Sequence, residues 1–323
     1  MPHLSRRPAG ALLAVLLMFF VAESTWAQLR TGAFAPDATG LSDIDLQGHR
    51  GARGLLPENT VPSVLAALDH GVETIELDVV VSGDGEVVVS HEPWMSSVIC
   101  RDPDGAPVRE DQERDYNLFE MSYAEIAAFD CGGRGHPSFP DQRPTAASKP
   151  LLRDVLRIAD GYAMVTGRPL PRYNVEIKSA PENDGFYHPP PDTFARLVYD
   201  VLADEDVRDR STIQSFDVRS VRSVRSIDAT QTVALLVNND DGFEANLRQL
   251  GFLPDIYSPN QRLVDAALVE AARAVGMAVV PWTVNAPEDM RRLLDLGVDG
   301  LITDYPDRGR DVVDAYLRGR QDN

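Results

Sequence analysis

Residues 74–91 read Thr74-Ile75-Glu76-Leu77-Asp78-Val79-Val80-Val81, then Ser82-Gly83-Asp84-Gly85, then Glu86-Val87-Val88-Val89-Ser90-His91. Two runs rich in β-branched residues flank a Gly-Asp-Gly turn. That pattern marks a hairpin, in which the chain folds straight back without a crossing helix. With the turn centred on Asp84-Gly85, Asp78 is expected opposite His91. The rest of the chain alternates differently. Strand-like apolar runs at 44–49, 172–178, 211–216, 232–237, 255–259, 278–284 and 300–304 are separated by amphipathic runs. The latter, at 58–70, 151–158, 192–202, 218–227, 242–250, 264–275 and 287–296, repeat apolar residues at three- and four-residue steps. Such βα alternation means a parallel sheet with helices outside it. Setting the hairpin return aside leaves eight strands, the number that closes a TIM-type (β/α)8 barrel, an α/β fold.

The hairpin is followed by a long insertion, 92–148, irregular in pattern and rich in Pro, Gly and charge. Loops of that length usually serve as lids or binding loops. It contains both cysteines of the chain, Cys100 and Cys131. Their spacing is not C-x-x-C and no histidine lies beside either, so a metal or redox pair is disfavoured. The N-terminus sets their compartment. Arg6 and Arg7 precede the apolar run 11–22, and Thr25-Trp26-Ala27 offers a small-residue cleavage site. Residues 1–27 thus read as a secretory signal peptide, 28–43 as a linker and 44–323 as one barrel domain. The apolar run is short for a membrane span, so no stable membrane anchor is expected in the mature chain. An exported protein, periplasmic or secreted, meets oxidising conditions, and the two cysteines are expected to form one disulfide. Closing that loop contributes roughly 3–4 kcal/mol in the chain-entropy picture.

Composition narrows the partners. The 323 residues carry 31 basic and 50 acidic side chains, a net charge of -19. A nucleic-acid surface would be basic, so that class is disfavoured. Lys149 and Lys178 are the only lysines; every other cation is Arg.

In a barrel, chemistry sits where strands end. The first strand ends in His49-Arg50-Gly51, the second carries Glu76 and Asp78, the hairpin return ends in His91, and the next parallel strand carries Glu176 and Lys178. Residues two apart on a strand face the same side, so Glu76 pairs with Asp78 and Glu176 with Lys178. Charges among β-branched neighbours are costly unless paired or bound to metal. Three converging carboxylates fit one hard divalent cation, Ca²⁺ or Mg²⁺, with oxygen ligands. The competing reading is a buried salt-bridge network in which Arg50 and Lys178 satisfy the acids. Arg50, Lys178 and a cation together suit a phosphate, and two histidines at the same mouth suit acid–base catalysis. Such a set cleaves phosphodiesters.

The same residues carry a resemblance. Gly48-His49-Arg50-Gly51 with Pro57-Glu58-Asn59-Thr60, Glu76-Leu77-Asp78, Ser82-Gly83-Asp84-Gly85, Val88-Val89-Ser90-His91 and Glu176-Ile177-Lys178 resemble the signature of glycerophosphodiester phosphodiesterases. Ser215-Phe216, Trp282-Thr283-Val284-Asn285 and the run from Asp299 to Pro306 match later strands of that family. The resemblance implies a TIM-type barrel that hydrolyses glycerophosphodiesters, small molecules, to glycerol 3-phosphate and an alcohol. It implies His49 and His91 as the acid–base pair, Glu76, Asp78 and Glu176 as metal ligands, and Arg50 and Lys178 as phosphate holders. The family usually has Asp after the second histidine, where this chain has Glu92. Trp94, Phe216 and Trp282 are candidates for an apolar wall, or for plain core packing.

Two rivals follow. A related barrel acting on lysophospholipid or sphingomyelin should carry an apolar loop in 92–148, but 101–115 is polar. A non-catalytic secreted binding barrel should lack one of the histidines or carboxylates, and all are present. His70, His136 and His188 read as structural or exposed, Glu58-Asn59-Thr60 as the opening of the first helix, and Gly132-Gly133-Arg134-Gly135 as a weak phosphate-loop candidate.

Overall fold

The computed structural model describes residues 44–321. The expected signal peptide at 1–27 and linker at 28–43 lie outside the described residues. In chain order the elements are β1 (Asp45–Gly48), α1 (Val61–Asp69), β2 (Thr74–Val81), β3 (Val87–Val89), α2 (Leu152–Thr166), β4 (Arg172–Ile177), α3 (Pro191–Asp204), β5 (Ser211–Ser215), α4 (Val218–Ile227), β6 (Thr232–Val237), α5 (Phe243–Leu250), β7 (Ile256–Pro259), α6 (Ala266–Ala274), β8 (Ala278–Val279), α7 (Pro287–Leu296), β9 (Gly300–Thr303) and α8 (Pro306–Gln321). The parallel strands run β8-β7-β6-β5-β4-β2-β1-β9, and β3 lies off this path, paired with β2. Asp299 N donates to Val279 O at 2.9 Å, Ile302 N to Pro281 O at 3.0 Å and Val284 N to Ile302 O at 2.8 Å, which joins the two ends of that order. The result is a (β/α)8 barrel of the TIM type with a hairpin return after its second strand. The run expected as a strand over 278–284 pairs as a strand only at Ala278–Val279. Pro281 has no N–H to give to a ladder.

Alternation on β2 sorts its side chains. Ile75, Leu77 and Val79 join Val64 and Leu68 of α1 and Leu156 of α2 in the main core. Glu76 and Asp78 therefore face the barrel interior. Half of that interior is apolar: Ala234, Ile256, Ala278, Val280 and Ile302 pack together. The other half is a polar ladder, in which Asn174 donates to Gln47 at 2.8 Å and Gln47 donates to Asp45 at 2.7 Å. Every member is buried, so the ladder has to be hydrogen-bonded to be tolerated.

The hairpin differs from expectation by one residue. Val79 pairs with Val89, Val80 with Val88 and Val81 with Val87. Ser90, not His91, therefore stands opposite Asp78, and its N–H reaches Asp78 O at 3.0 Å. The cause is the loop. Ser82 N bonds Glu86 O at 3.0 Å, enclosing Gly83-Asp84-Gly85. Gly85 has φ 85°, the left-handed residue that a three-residue hairpin loop needs.

The insertion is ordered around its own small core. Met95, Ile99, Cys100, Val108, Leu118, Ile126, Phe129 and Cys131 pack with Val80, Val88 and Leu151. The Cys100–Cys131 disulfide lies inside this cluster and spans 31 residues. Trp94 clusters with Arg114, which lies 4.0 Å above its ring, and with Tyr187, whose tilted ring has its centroid 5.3 Å away. Asn117 Nδ2 donates to Phe186 O at 2.8 Å, which fastens the insertion to the loop after β4.

Candidate active site

The turn after β1 is built around Ser63 of α1. Ser63 Oγ donates to Arg50 O at 2.7 Å and accepts from Ala52 N at 2.8 Å. Arg50 has φ 49° and Gly51 φ 82°. A Cβ on Gly51 would lie 2.3 Å from Ser63 Oγ, so only glycine fits there. Bent in this way, the turn directs Arg50 N at Glu76 Oε2, 2.9 Å away. Arg50 Nη1 donates to Glu58 Oε1 at 2.7 Å and Nε lies 3.0 Å from Asp78 Oδ2. A left-handed non-glycine residue is strained, and these contacts are what hold it.

The Pro-Glu-Asn-Thr run does more than open α1. Thr60 caps the helix, but Glu58 also binds Arg53 Nε at 2.6 Å. Asn59 Nδ2 donates to Asp78 Oδ2 at 2.9 Å and Asn59 Oδ1 accepts from Asp78 N at 3.2 Å. Asp78 is thus gripped at side chain and backbone.

Glu76, Asp78 and Glu176 converge, each offering an oxygen within 4.8 Å of the others, and all are buried. Lys178 Nζ sits 2.7 Å from Glu176 Oε1 and 3.5 Å from Asp78 Oδ1. Salt bridging accounts for part of this charge. Burial raises the Asp78 proton affinity, but Arg50 and Lys178 outweigh it and hold the group well below the usual carboxylate range. Glu76 is not so served. Burial and the charges of Asp78 and Glu176 push it well above that range, and burial also pushes Glu176 up. Among the described residues the one basic side chain within 4.0 Å of Glu76 is His49. Asp78 Oδ1, also buried, accepts no hydrogen bond. An under-neutralised cluster of oxygen donors with an orphaned carboxylate oxygen fits a hard divalent cation.

Two histidines carry two carboxylates. His49 Nδ1 lies 2.6 Å from Asp304 Oδ1. Asn285 Nδ2 donates to Asp304 Oδ2 at 2.7 Å, and Asn285 Oδ1 accepts from Asp304 N at 3.0 Å. Burial pushes Asp304 up, but His49 and Asn285 outweigh it and bring it down to about 2. Burial pushes His49 below its ordinary value. The neutral ring then carries its proton on Nδ1, facing Asp304, and Nε2 is left as an acceptor. His91 Nδ1 lies 2.7 Å from Glu92 Oε1. Glu92 therefore occupies the orienting position despite its longer arm, and is brought down to about 2 as His91, Lys149 and Arg50 outweigh burial. The two rings differ in access: the His49 side chain is 12% exposed and that of His91 31%.

One cavity of about 210 Å³ is lined by His49, Arg50, Glu76, His91, Glu176, Lys178, Phe216 and Trp282. Eight of the nine site residues expected from sequence line it; Asp78, the ninth, lies in the carboxylate cluster at 1% exposure. Phe216 and Trp282 meet edge to face, centroids 5.3 Å apart, and form an apolar wall. Trp94 is not part of the lining and belongs to the insertion. Arg53, Gln214 and Thr283 complete the polar lining. Gln214 Nε2 donates to Glu76 Oε1 at 3.0 Å.

The other candidates have local tasks. His188 is buried, with Nδ1 against Pro189 O at 2.8 Å. His136 packs on Phe139, centroids 4.9 Å apart. The amides of Gly132 and Gly133 are already taken by Asp130 Oδ1, at 3.0 and 2.9 Å, so they form no phosphate loop.

Comparison with known proteins agrees with this architecture. A glycerophosphodiester phosphodiesterase of Caldanaerobacter subterraneus is 28% identical over 264 residues, covering 80% of this chain and 93% of the relative. A crystal structure from Silicibacter pomeroyi, assigned as a glycerophosphoryl diester phosphodiesterase, is 29% identical, with TM-score 0.76 over 91% of this chain and 98% of that one. A phosphodiesterase of Oleispira antarctica, solved with its product sn-glycerol-3-phosphate, shares the fold at 21% identity and TM-score 0.65, covering 84% and 96%. The family model for glycerophosphoryl diester phosphodiesterases matches residues 49–308, from the first histidine of the cavity to beyond Asp304. Strand order, cavity and sequence match coincide over that span: the chain belongs to the glycerophosphoryl diester phosphodiesterase family.

Proposed function

We propose that this chain is an exported hydrolase of glycerophosphodiesters that releases glycerol 3-phosphate and an alcohol, with His49 as proton acceptor and His91 as proton donor. The observation that carries the division is the unequal setting of the two rings. His49 is the more enclosed and burial disfavours its charge, while His91 is the more open at the cavity. The attacking hydroxyl, from water or from the glycerol itself, gives its proton to His49 Nε2 as its oxygen bonds to phosphorus. The P–O bond to the alcohol breaks, and His91 supplies the proton that the departing oxygen takes. Where the glycerol hydroxyl attacks first, water then opens the cyclic ester by the same two proton transfers in reverse.

Glu76, Asp78 and Glu176 would hold the divalent cation, and the all-oxygen donor set favours Ca²⁺ or Mg²⁺ over softer metals. When bound, such an ion offsets the negative charge that grows on the phosphoryl oxygens. Arg50 and Lys178 are pre-oriented by Glu58, Asp78 and Glu176 and hold the phosphate beside it. Phe216 and Trp282 pack on the glycerol carbons. A cavity of about 210 Å³, the room of about seven waters, suits a glycerophosphate unit rather than an acyl chain. No helix among the described residues is long and apolar enough to cross a membrane. The test is phosphorus NMR of the products from glycerophosphocholine, glycerophosphoethanolamine, glycerophosphoglycerol and glycerophosphoinositol, each with Ca²⁺ and with Mg²⁺. Glycerol 3-phosphate is the expected phosphorus-containing product from at least one of them. Release of the phosphorylated head group instead, or turnover of none, contradicts the reading.

A further inference from the structure

Arg50 and Lys178 belong to the phosphate site, but one more buried cation stands close by. Lys149 follows the insertion and is 5% exposed. Its Nζ donates to Ser90 Oγ at 2.7 Å, and Ser90 Oγ donates in turn to Glu92 O at 2.6 Å. Ser90 N is fixed to Asp78 O at 3.0 Å, and Val89 N to Pro150 O at 2.8 Å. Ser90 and Glu92 flank His91 in sequence, and the relay joins both of them to Lys149. Among the described residues no carboxylate lies within ion-pair distance of Nζ.

An ammonium buried against one neutral hydroxyl is destabilising, because the lost hydration is not repaid by a counter-charge at contact. Burial pushes the Lys149 amine down, while the charges of Glu92 and Glu58 pull it back up. Features that violate a stability rule without local compensation tend to sit at functional sites. The element Lys149 can act on is the turn Ser90-His91-Glu92, whose backbone it reaches through Ser90 Oγ and whose carboxylate it attracts electrostatically.

We infer that Lys149 is a positioning residue for His91: through Ser90 it fixes the turn that carries His91 and Glu92, and its charge favours the carboxylate that orients the imidazole. The compact ammonium finds one hydroxyl acceptor in Ser90 Oγ, where a planar guanidinium would demand several. This ties the disulfide-bearing insertion to the proton donor, since Ala147, two residues earlier, accepts from Cys131 N at 2.7 Å. The inference rests on His91 being the proton donor.

The experiment compares wild type, Lys149→Met, His91→Ala and the double variant, with metal saturating. Substrates are glycerophosphocholine, whose alkyl alcohol needs a proton, and glycerophospho-p-nitrophenol, whose aryl oxide does not. Methionine matches the stem without the charge, so the melting temperature should hold or rise. Lys149→Met should lose roughly 10–10²-fold in kcat on glycerophosphocholine, with KM little changed, and less than about 3-fold on the aryl ester. Added to His91→Ala, it should cost nothing further on glycerophosphocholine. Equal losses on both substrates, no loss, or a full additional loss in the double variant overturns the inference. The His91→Ala variant alone separates the two claims: if it shows no difference between substrates, the proton-donor reading fails first. Should Lys149→Met not fold, Ser90→Ala breaks the same relay and must show the same substrate split.

Discussion

His49 Nδ1 stands 2.6 Å from Asp304 Oδ1, a hydrogen bond across the seam where the first strand meets the last. β1 and β9 are neighbours in register, Gly48 beside Thr303, so each strand delivers its next residue to the same point. Asp304 fixes which nitrogen of His49 carries the proton, and so leaves Nε2 free to take one.

Asp304→Asn should therefore preserve the fold and damage catalysis. An amide can accept or donate and no longer enforces the tautomer. The expected loss in kcat is roughly 10²–10⁴-fold, similar for alkyl and aryl esters, because proton acceptance is needed for both. Steady-state kinetics on the two substrates checks it; a loss confined to the alkyl ester would place Asp304 with the wrong step.

The same carboxylate gives a pH signature. Its folded value of about 2 lies below the ordinary value of about 3.9 for Asp. The stability it contributes is complete above the unfolded value and is lost as pH falls through the folded one. The difference corresponds to about 2–3 kcal/mol. Urea melts at pH 5.5 and pH 2.5 should show a smaller acid-induced loss in Asp304→Asn than in wild type. Equal losses would mean that the pair does not hold the carboxylate down.

Much of the frame was readable because β2 and β4 are buried on both faces. A charged residue there, such as Glu76 or Glu176, stands out against its β-branched neighbours. The hairpin register slipped by one because Gly85, not the Asp84-Gly85 pair, supplies the left-handed position. α2 continues past residue 158 to Thr166, through Gly161, which weakens the helical pattern. α8 carries few apolar residues, among them Val312 and Val313, and leaves little periodicity to read. The orienting partners were hidden for a different reason. Asp304 lies 255 residues from His49 and Gln214 lies 138 from Glu76, and only the closed barrel brings them together. Lys149 could be noticed as a rare lysine, but nothing near it in sequence points to Ser90 or Glu92.

The carboxylate cluster predicts coupling between metal and stability. Ca²⁺ or Mg²⁺ that binds only the folded chain should raise the melting temperature in a concentration-dependent way. A chelator should reverse this and abolish turnover. Glu176→Gln should weaken binding, read by isothermal titration, while leaving the strand order intact. Full turnover in excess chelator, with no metal by elemental analysis, would contradict the metal reading.

The disulfide should act locally. Cys100 and Cys131 are joined inside the small core of the insertion. Native protein should therefore show no titratable thiol before reduction. After reduction, amide exchange should rise in 92–148 well before it rises in β2 or β4. Uniform destabilisation of the barrel would show instead that the insertion and the barrel unfold as one unit.

The division of labour between the histidines is tested most directly by four rate ratios. These are kcat for His49→Ala and His91→Ala relative to wild type, each on glycerophosphocholine and on glycerophospho-p-nitrophenol at saturating metal. The account predicts a loss of roughly 10²–10⁴-fold for His91→Ala on the alkyl ester and a far smaller one on the aryl ester. His49→Ala should be impaired to a similar degree on both. Rescue of His49→Ala but not of His91→Ala by the aryl ester would invert the assignment, and rescue of neither would contradict proton donation by either ring.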